Sequence, residues 1–152
     1  MSADSKSVDS PSEYNDAYDT CAETYATFRA YTGEVEPDEV SRLLGMKPTG
    51  SVTQGKVIVT GPSKGKISKL NGWFLSTKGQ VDSKDLRRHL DSLLEALTAH
   101  SDQLLTLQGM PNVTTDVSCY WLSKSGHSGP TLSPKQMRML CQLNLEIWFD
   151  CY

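Results

Sequence analysis

Hydrophobic and polar residues alternate with a period of two at the start of the patterned region. Ala26, Phe28 and Ala30 alternate with Tyr25, Thr27, Arg29 and Tyr31, which predicts a half-buried strand over residues 24–32, closed by Gly33. The period then changes. Pro37 followed by Asp38 and Glu39 suits the first turn of a helix, with Val40, Leu43 and Leu44 as its buried stripe and Gly45 as its stop. Val35 and Val40 are placed to staple the chain around a cap at Glu36. The β-branched run Val57-Ile58-Val59 predicts a strand over residues 56–60, and residues 61–65 read as a turn. Trp73-Phe74-Leu75 starts another strand that ends at Gly79.

The strongest helical signal covers residues 83–98. Leu86, Leu90, Leu93, Leu94 and Leu97 fall on one face, with Asp82 or Ser83 as the expected cap. Residues 101–107 predict a second short helix, broken at Gly109-Met110-Pro111. Val113, Thr115, Val117, Cys119 and Trp121 then mark a strand over 113–122. After a polar loop, Ser133-Pro134-Lys135-Gln136 has the form of a capping box with proline at the first helical position, and Leu132 and Met137 can staple it. The final residues alternate again: Leu145, Ile147, Phe149 and Cys151 against Glu146, Trp148, Asp150 and Tyr152. The order is strand, helix, strand, strand, helix pair, strand, helix, strand. It predicts an α+β domain, with a single mostly antiparallel sheet of four to five strands and helices packed on one face. The first six elements follow the split β-α-β order of ferredoxin-like folds, and a further helix and strand end the chain.

Residues 1–23 lack Leu, Ile, Phe and Trp and carry six acids against Lys6, so they are expected to form a disordered acidic, Ser-rich tail ahead of one domain over 24–152. The whole chain has 152 residues, 38% hydrophobic and 22% charged. A chain of this length buries roughly two-thirds of its unfolded surface and folds without metals or disulfides. No stretch approaches the ~18 apolar residues of a membrane helix, and no basic, apolar leader opens the sequence. These features predict a cytoplasmic protein that does not engage membranes. Its four cysteines, without a C-x-x-C pair, then read as free thiols.

Gly45-Met46-Lys47-Pro48-Thr49, Gly55-Lys56, Gly72-Trp73 and the terminal Phe149-Asp150-Cys151-Tyr152 resemble, as an ordered set over residues 24–152, a bacterial family called "domain of unknown function 4279". The resemblance implies a standalone bacterial domain. It brings no activity, cofactor or catalytic residue to carry over.

Candidate chemistry is sparse. Residues 50–56 have the spacing of a phosphate-binding loop, but Val57 stands where Ser or Thr must hold magnesium, and a β-branched run follows in place of a helix. Residues 61–66 are one residue short of the same spacing. Gly126-His127-Ser128-Gly129 is likewise one residue short of a nucleophile elbow. His89, beside Arg87 and Arg88, reads as a solvated surface residue, and His100 sits at a helix end. No His or Cys pair has metal-ligand spacing, so neither a metal nor a cofactor is expected.

Charge distribution changes this picture. Residues 1–39 hold ten acids and two bases; residues 40–81 hold seven bases and no acid; the remainder is slightly acidic, for a net charge of −3. Within the basic stretch, Lys56, Lys64 and Lys66 near Trp73 are candidate binding residues. On the last strand, Trp148, Asp150 and Tyr152, with Tyr120 nearby, are candidates for an aromatic binding surface. The leading expectation is a non-catalytic module that binds another protein, of which a toxin-neutralising immunity protein is one concrete version. A second reading makes it a small-ligand or nucleic-acid binder through residues 40–81. The net negative charge and the preponderance of Lys over Arg weigh against nucleic acid. A third is a hydrolase assembled from Asp150, His127 and Ser128. Oligomeric state has no sequence signal.

Overall fold

A computed structural model describes residues 13–152. Its centre is β1 (Cys21–Tyr31), where Ala26, Phe28 and Ala30 are fully buried and Tyr25, Thr27, Arg29 and Tyr31 are half-buried, as the alternation predicts. A register shift between Cys21 and Glu23 forms a bulge that turns Cys21 inward, out of the alternation. On one side β1 pairs antiparallel with β3 (Gly72–Ser76), which pairs antiparallel with the short β2 (Gly50–Val52). On the other side it pairs antiparallel with β4 (Thr114–Ser123). The last strand, β5 (Glu146–Cys151), lies parallel to β4, because the helix α4 (Pro134–Gln142) carries the chain back before β5 begins. The result is one open mixed sheet, mostly antiparallel, in the order β2-β3-β1-β4-β5.

The pairing registers align one set of side chains on the inner face. Ala26 opposes Cys119, Phe28 opposes Val117 and Leu75, and Ala30 opposes Trp73. The helices α1 (Pro37–Leu44), α2 (Leu86–Thr98), α3 (Ser101–Gln108) and α4 supply the other half of the core. Leu86, Leu90, Leu93, Leu94 and Leu97 of α2 are all buried together with the inner-face residues. Gly45 ends α1 at φ 67°, a left-handed conformation that glycine adopts without a Cβ clash. In α4, the Ser133 N–H donates to Gln136 Oε1 at 2.7 Å, as the box motif predicts.

Three expectations are corrected. The run 56–60 is not a strand: Val57 makes a single bridge to Ile67, and Val57 and Val59 are 57% and 71% exposed. Strand preference reflects a fit to a half-buried pleated surface, and residues 50–52 already occupy the edge beside β3. Helix α2 starts later than predicted, with Asp85 as its cap; Ser83 instead donates to Asp16 Oδ1 at 2.6 Å. His89 is buried, because residues 77–83 fold over the first turn of α2. Ser83 O lies 2.7 Å from its Nε2 and Thr77 Oγ1 lies 2.7 Å from its Nδ1.

Residues ahead of residue 24 also contact the domain. Tyr14 hydroxyl donates to Asp91, Asn15 N–H donates to Asp85 at 2.8 Å, and Asp16 accepts from Arg88. Tyr18 meets Trp121 edge-on at 5.3 Å. The composition of this stretch lacks aliphatics, but two tyrosines and a carboxylate tie it to α2 and β4. The expectation for residues 1–12 lies outside the described residues.

Candidate functional site

Because strand side chains alternate, covering one face of the sheet leaves the other to be built from the opposite set. That open face carries Tyr25, Thr27, Arg29 and Tyr31 from β1, Phe74 from β3, Asp116, Ser118 and Tyr120 from β4, and Glu146, Trp148 and Asp150 from β5. None of these residues is buried. At its centre Arg29 grips Asp116 with two parallel bonds of 2.7 and 2.8 Å. Toward β5, Tyr25 stacks on Tyr120 at 4.9 Å, Tyr120 meets Tyr152 at 5.6 Å, and the Lys78 ammonium lies 5.1 Å over the Tyr25 ring. Toward β2, Arg29 lies over Tyr31, which meets Phe74 edge-on at 5.8 Å. The Phe74 ring has room there because Gly72 sits beneath it; a Cβ on Gly72 would lie 2.7 Å from Phe74 Cζ.

The bonds from Asp116 raise the Arg29 guanidinium above its already high value. Burial pushes the Tyr25 phenol up, and the Asp150 carboxylate pushes the Tyr152 phenol up, so both stay neutral donors. The face therefore offers rings, hydroxyls and carboxylates for recognition.

Beyond β2 the open face runs into a cleft of about 570 Å³. Tyr31, Val52 and Phe74 form one wall, and Ile58, Lys66, Ile67 and Leu70 of the long loop form the other. Lys56, Lys64 and Lys66 are exposed on this loop, and no carboxylate among the described residues pairs with them.

The structure thus brings Tyr120, Trp148, Asp150 and Tyr152 together, with Tyr120 opposite Asp150 and Ser118 opposite Trp148. It sets Lys56, Lys64 and Lys66 near the other edge. Trp73 joins neither group. It is fully buried on the inner face, with its indole N–H donating to Ser41 Oγ at 3.0 Å. Its neighbour Phe74 lies instead on the open face, half-buried. Tyr25, Arg29, Tyr31 and Asp116 were not singled out from sequence. The polar side of β1 was visible in its alternation, but the register that gathers its partners was not.

The remaining motifs form no second site. Residues 50–52 belong to β2 and no helix follows them. His127 and Ser128 lie in an exposed loop and engage Ser123 and Trp121 through their main-chain carbonyls; no hydrogen bond joins their side chains to each other or to Asp150. Among the described residues, no group of three His, Cys, Asp or Glu side chains is placed to hold a metal ion. No helix among them is long and apolar enough to cross a membrane. All four cysteines are free, Cys21 and Cys119 buried, Cys141 and Cys151 exposed.

No curated protein and no solved structure matches the chain. The family model described as a domain of unknown function (DUF4279) matches residues 22–152, the sheet and all four helices, and the chain belongs to that family.

Proposed function

We propose that this protein is a non-catalytic binding module that receives another protein on the open face of its sheet. The observation that carries this reading is the continuity of that face. Rings, an Arg–Asp pair and carboxylates run from Phe74 to Trp148 without a helix or loop burying any of them. Aromatic residues and arginine contribute the most binding energy at protein interfaces, and a large uncovered patch is uncommon on a protein that works alone. The order β2-β3-β1-β4, with antiparallel neighbours throughout, supports reading the first six elements as a ferredoxin-like unit to which α4 and β5 are appended. Four unpaired thiols support a reducing, cytoplasmic setting.

The cleft under the lysine loop favours a second reading, a small anionic ligand or a nucleic acid held by Lys66 and its neighbours. One experiment separates the two. The tagged protein, its Trp148→Ala/Tyr120→Ala variant and its Lys64→Ala/Lys66→Ala variant are used to capture partners from native lysate, with and without nuclease. A stoichiometric protein that survives nuclease and is lost only with the aromatic variant supports the open face. Capture lost with nuclease, or only with the lysine variant, overturns it in favour of the cleft.

A further inference from the structure

Among the described residues the sheet ends at β5, and no strand neighbours its outer side. In a parallel pair, alternate residues of one strand bond to the other. Tyr152 N–H donates to Trp121 O and Tyr152 O accepts from Ser123 N–H, each at 2.9 Å. Residues in phase with Tyr152, namely Glu146, Trp148 and Asp150, therefore turn their main chain toward β4. Ile147, Phe149 and Cys151 turn N–H and C=O outward. Protein edges are usually blunted by lysine, proline, a bulge or a covering element. Residues 146–151 contain no Lys or Pro, and their register against β4 runs unbroken from Glu146 to Cys151.

The two sides of this edge differ in chemistry. The open-face side presents Glu146, Trp148 and Asp150, then Tyr152, with Trp148 57% and Tyr152 66% exposed. The inner side presents Ile147, Phe149 and Cys151, and Phe149 is 44% exposed because the helices do not reach it.

We propose that β5 accepts an extended segment of a partner protein as a sixth strand, one in which Lys or Arg alternates with apolar residues. The main-chain ladder would supply affinity and the alternation would supply selectivity. Cationic side chains of the added strand fall beside the Glu146 and Asp150 carboxylates and over the Trp148 and Tyr152 rings. The intervening apolar side chains fall beside Ile147 and Phe149. A second copy of β5 is a poor occupant. Paired about Trp148, it sets Glu146 against Asp150 of the other copy, and in any register it brings carboxylates without a cation. This inference rests on the protein-binding reading and specifies the partner's chemistry.

The test uses the full chain and three synthetic decapeptides: alternating Lys and Val, the same composition as a Lys block followed by a Val block, and alternating Glu and Val. The Lys/Val alternating peptide is expected to bind about tenfold or more tightly than either control at physiological salt. It should slow amide exchange at Ile147, Phe149 and Cys151. Glu146→Gln/Asp150→Asn, two near-isosteric exposed changes, should weaken it by about the same factor. Phe149→Pro, which removes an outward N–H, should abolish it. Equal binding of the blocked peptide, unchanged exchange at the three amides, or a dimer whose β5 amides are already protected would each overturn the proposal. A lysate partner lost with Trp148→Ala whose complex leaves those amides unprotected refutes strand addition and leaves the binding function intact. A blank capture beside tight peptide binding counts against the function and not against the edge chemistry.

Discussion

Replacing Asp85 by alanine tests how the domain holds the start of its longest helix. Asp85 has no exposed surface. Its carboxylate caps α2 by accepting the Arg87 N–H at 3.0 Å, accepts Arg87 Nη2 at 2.8 Å, and accepts the Asn15 N–H at 2.8 Å. Losing an N-cap costs about 0.5–2 kcal/mol. Removing one partner of a buried ion pair costs about 3–5 kcal/mol, since the other charge is left desolvated. The two effects share one carboxylate and do not add in full. Arg87 also keeps Ser133 Oγ at 3.2 Å and Glu13 O at 3.1 Å as acceptors. The expected loss is therefore about 3–4 kcal/mol, which for a domain of this size lowers Tm by roughly 6–16 °C. Urea unfolding followed by circular dichroism measures it. Adding Arg87→Met should restore part of the loss, because no buried charge then remains unpaired. Burial alone would raise the Asp85 pKa, but the Arg87 guanidinium, the Asn15 N–H and the Arg87 N–H hold it below the usual value. The folded value lies below the unfolded one, so the stabilisation is complete above the unfolded pKa of about 3.9 and is lost as pH falls through the folded value. Wild type should thus lose stability in acid more steeply than Asp85→Ala. A loss below about 1 kcal/mol, with an unchanged urea slope and no change in acid sensitivity, would refute this account.

Three further predictions follow from burial. Trp73→Ala should destabilise by about 3–5 kcal/mol in urea unfolding, whereas Trp148→Ala should stay within about 0.5 kcal/mol while losing partner capture. Burial lowers the His89 pKa, so the unfolded state binds the proton more readily. Stability is then complete above about pH 6.5 and declines as pH falls through that value, and His89→Gln should remove this slope from the urea midpoint measured between pH 7.5 and 5.5 (about the His range). A thiol reagent should label Cys141 and Cys151 quickly in the native protein and reach Cys21 and Cys119 only on unfolding, since burial raises both inner thiols, Cys119 to about 12.

Elements whose signal is local were legible in the chain before any tertiary contact is considered. The leucines of α2 repeat on one helical face, and helical geometry alone puts them together. The Ser133–Gln136 box, the Gly45 stop and the alternations of β1, β4 and β5 are short-range chemistry of the same kind. The alternations of β4 and β5 set Tyr120 on one strand and Trp148, Asp150 and Tyr152 on the other apart from the apolar side in advance. Strand pairing, in contrast, joins residues far apart in sequence, and a period of two does not say which side faces the helices. Only the tertiary structure therefore put Trp73 inside and Phe74 outside. It chose residues 50–52 over the β-branched run at 56–60 as the edge strand, and it gathered Tyr25, Arg29 and Asp116 onto one face. It also folded residues 77–83 over His89 and tied Tyr14, Asp16 and Tyr18 down, through hydrogen bonds and a ring contact that composition does not record. An isolated period is a property of one segment, whereas burial belongs to the segments that meet.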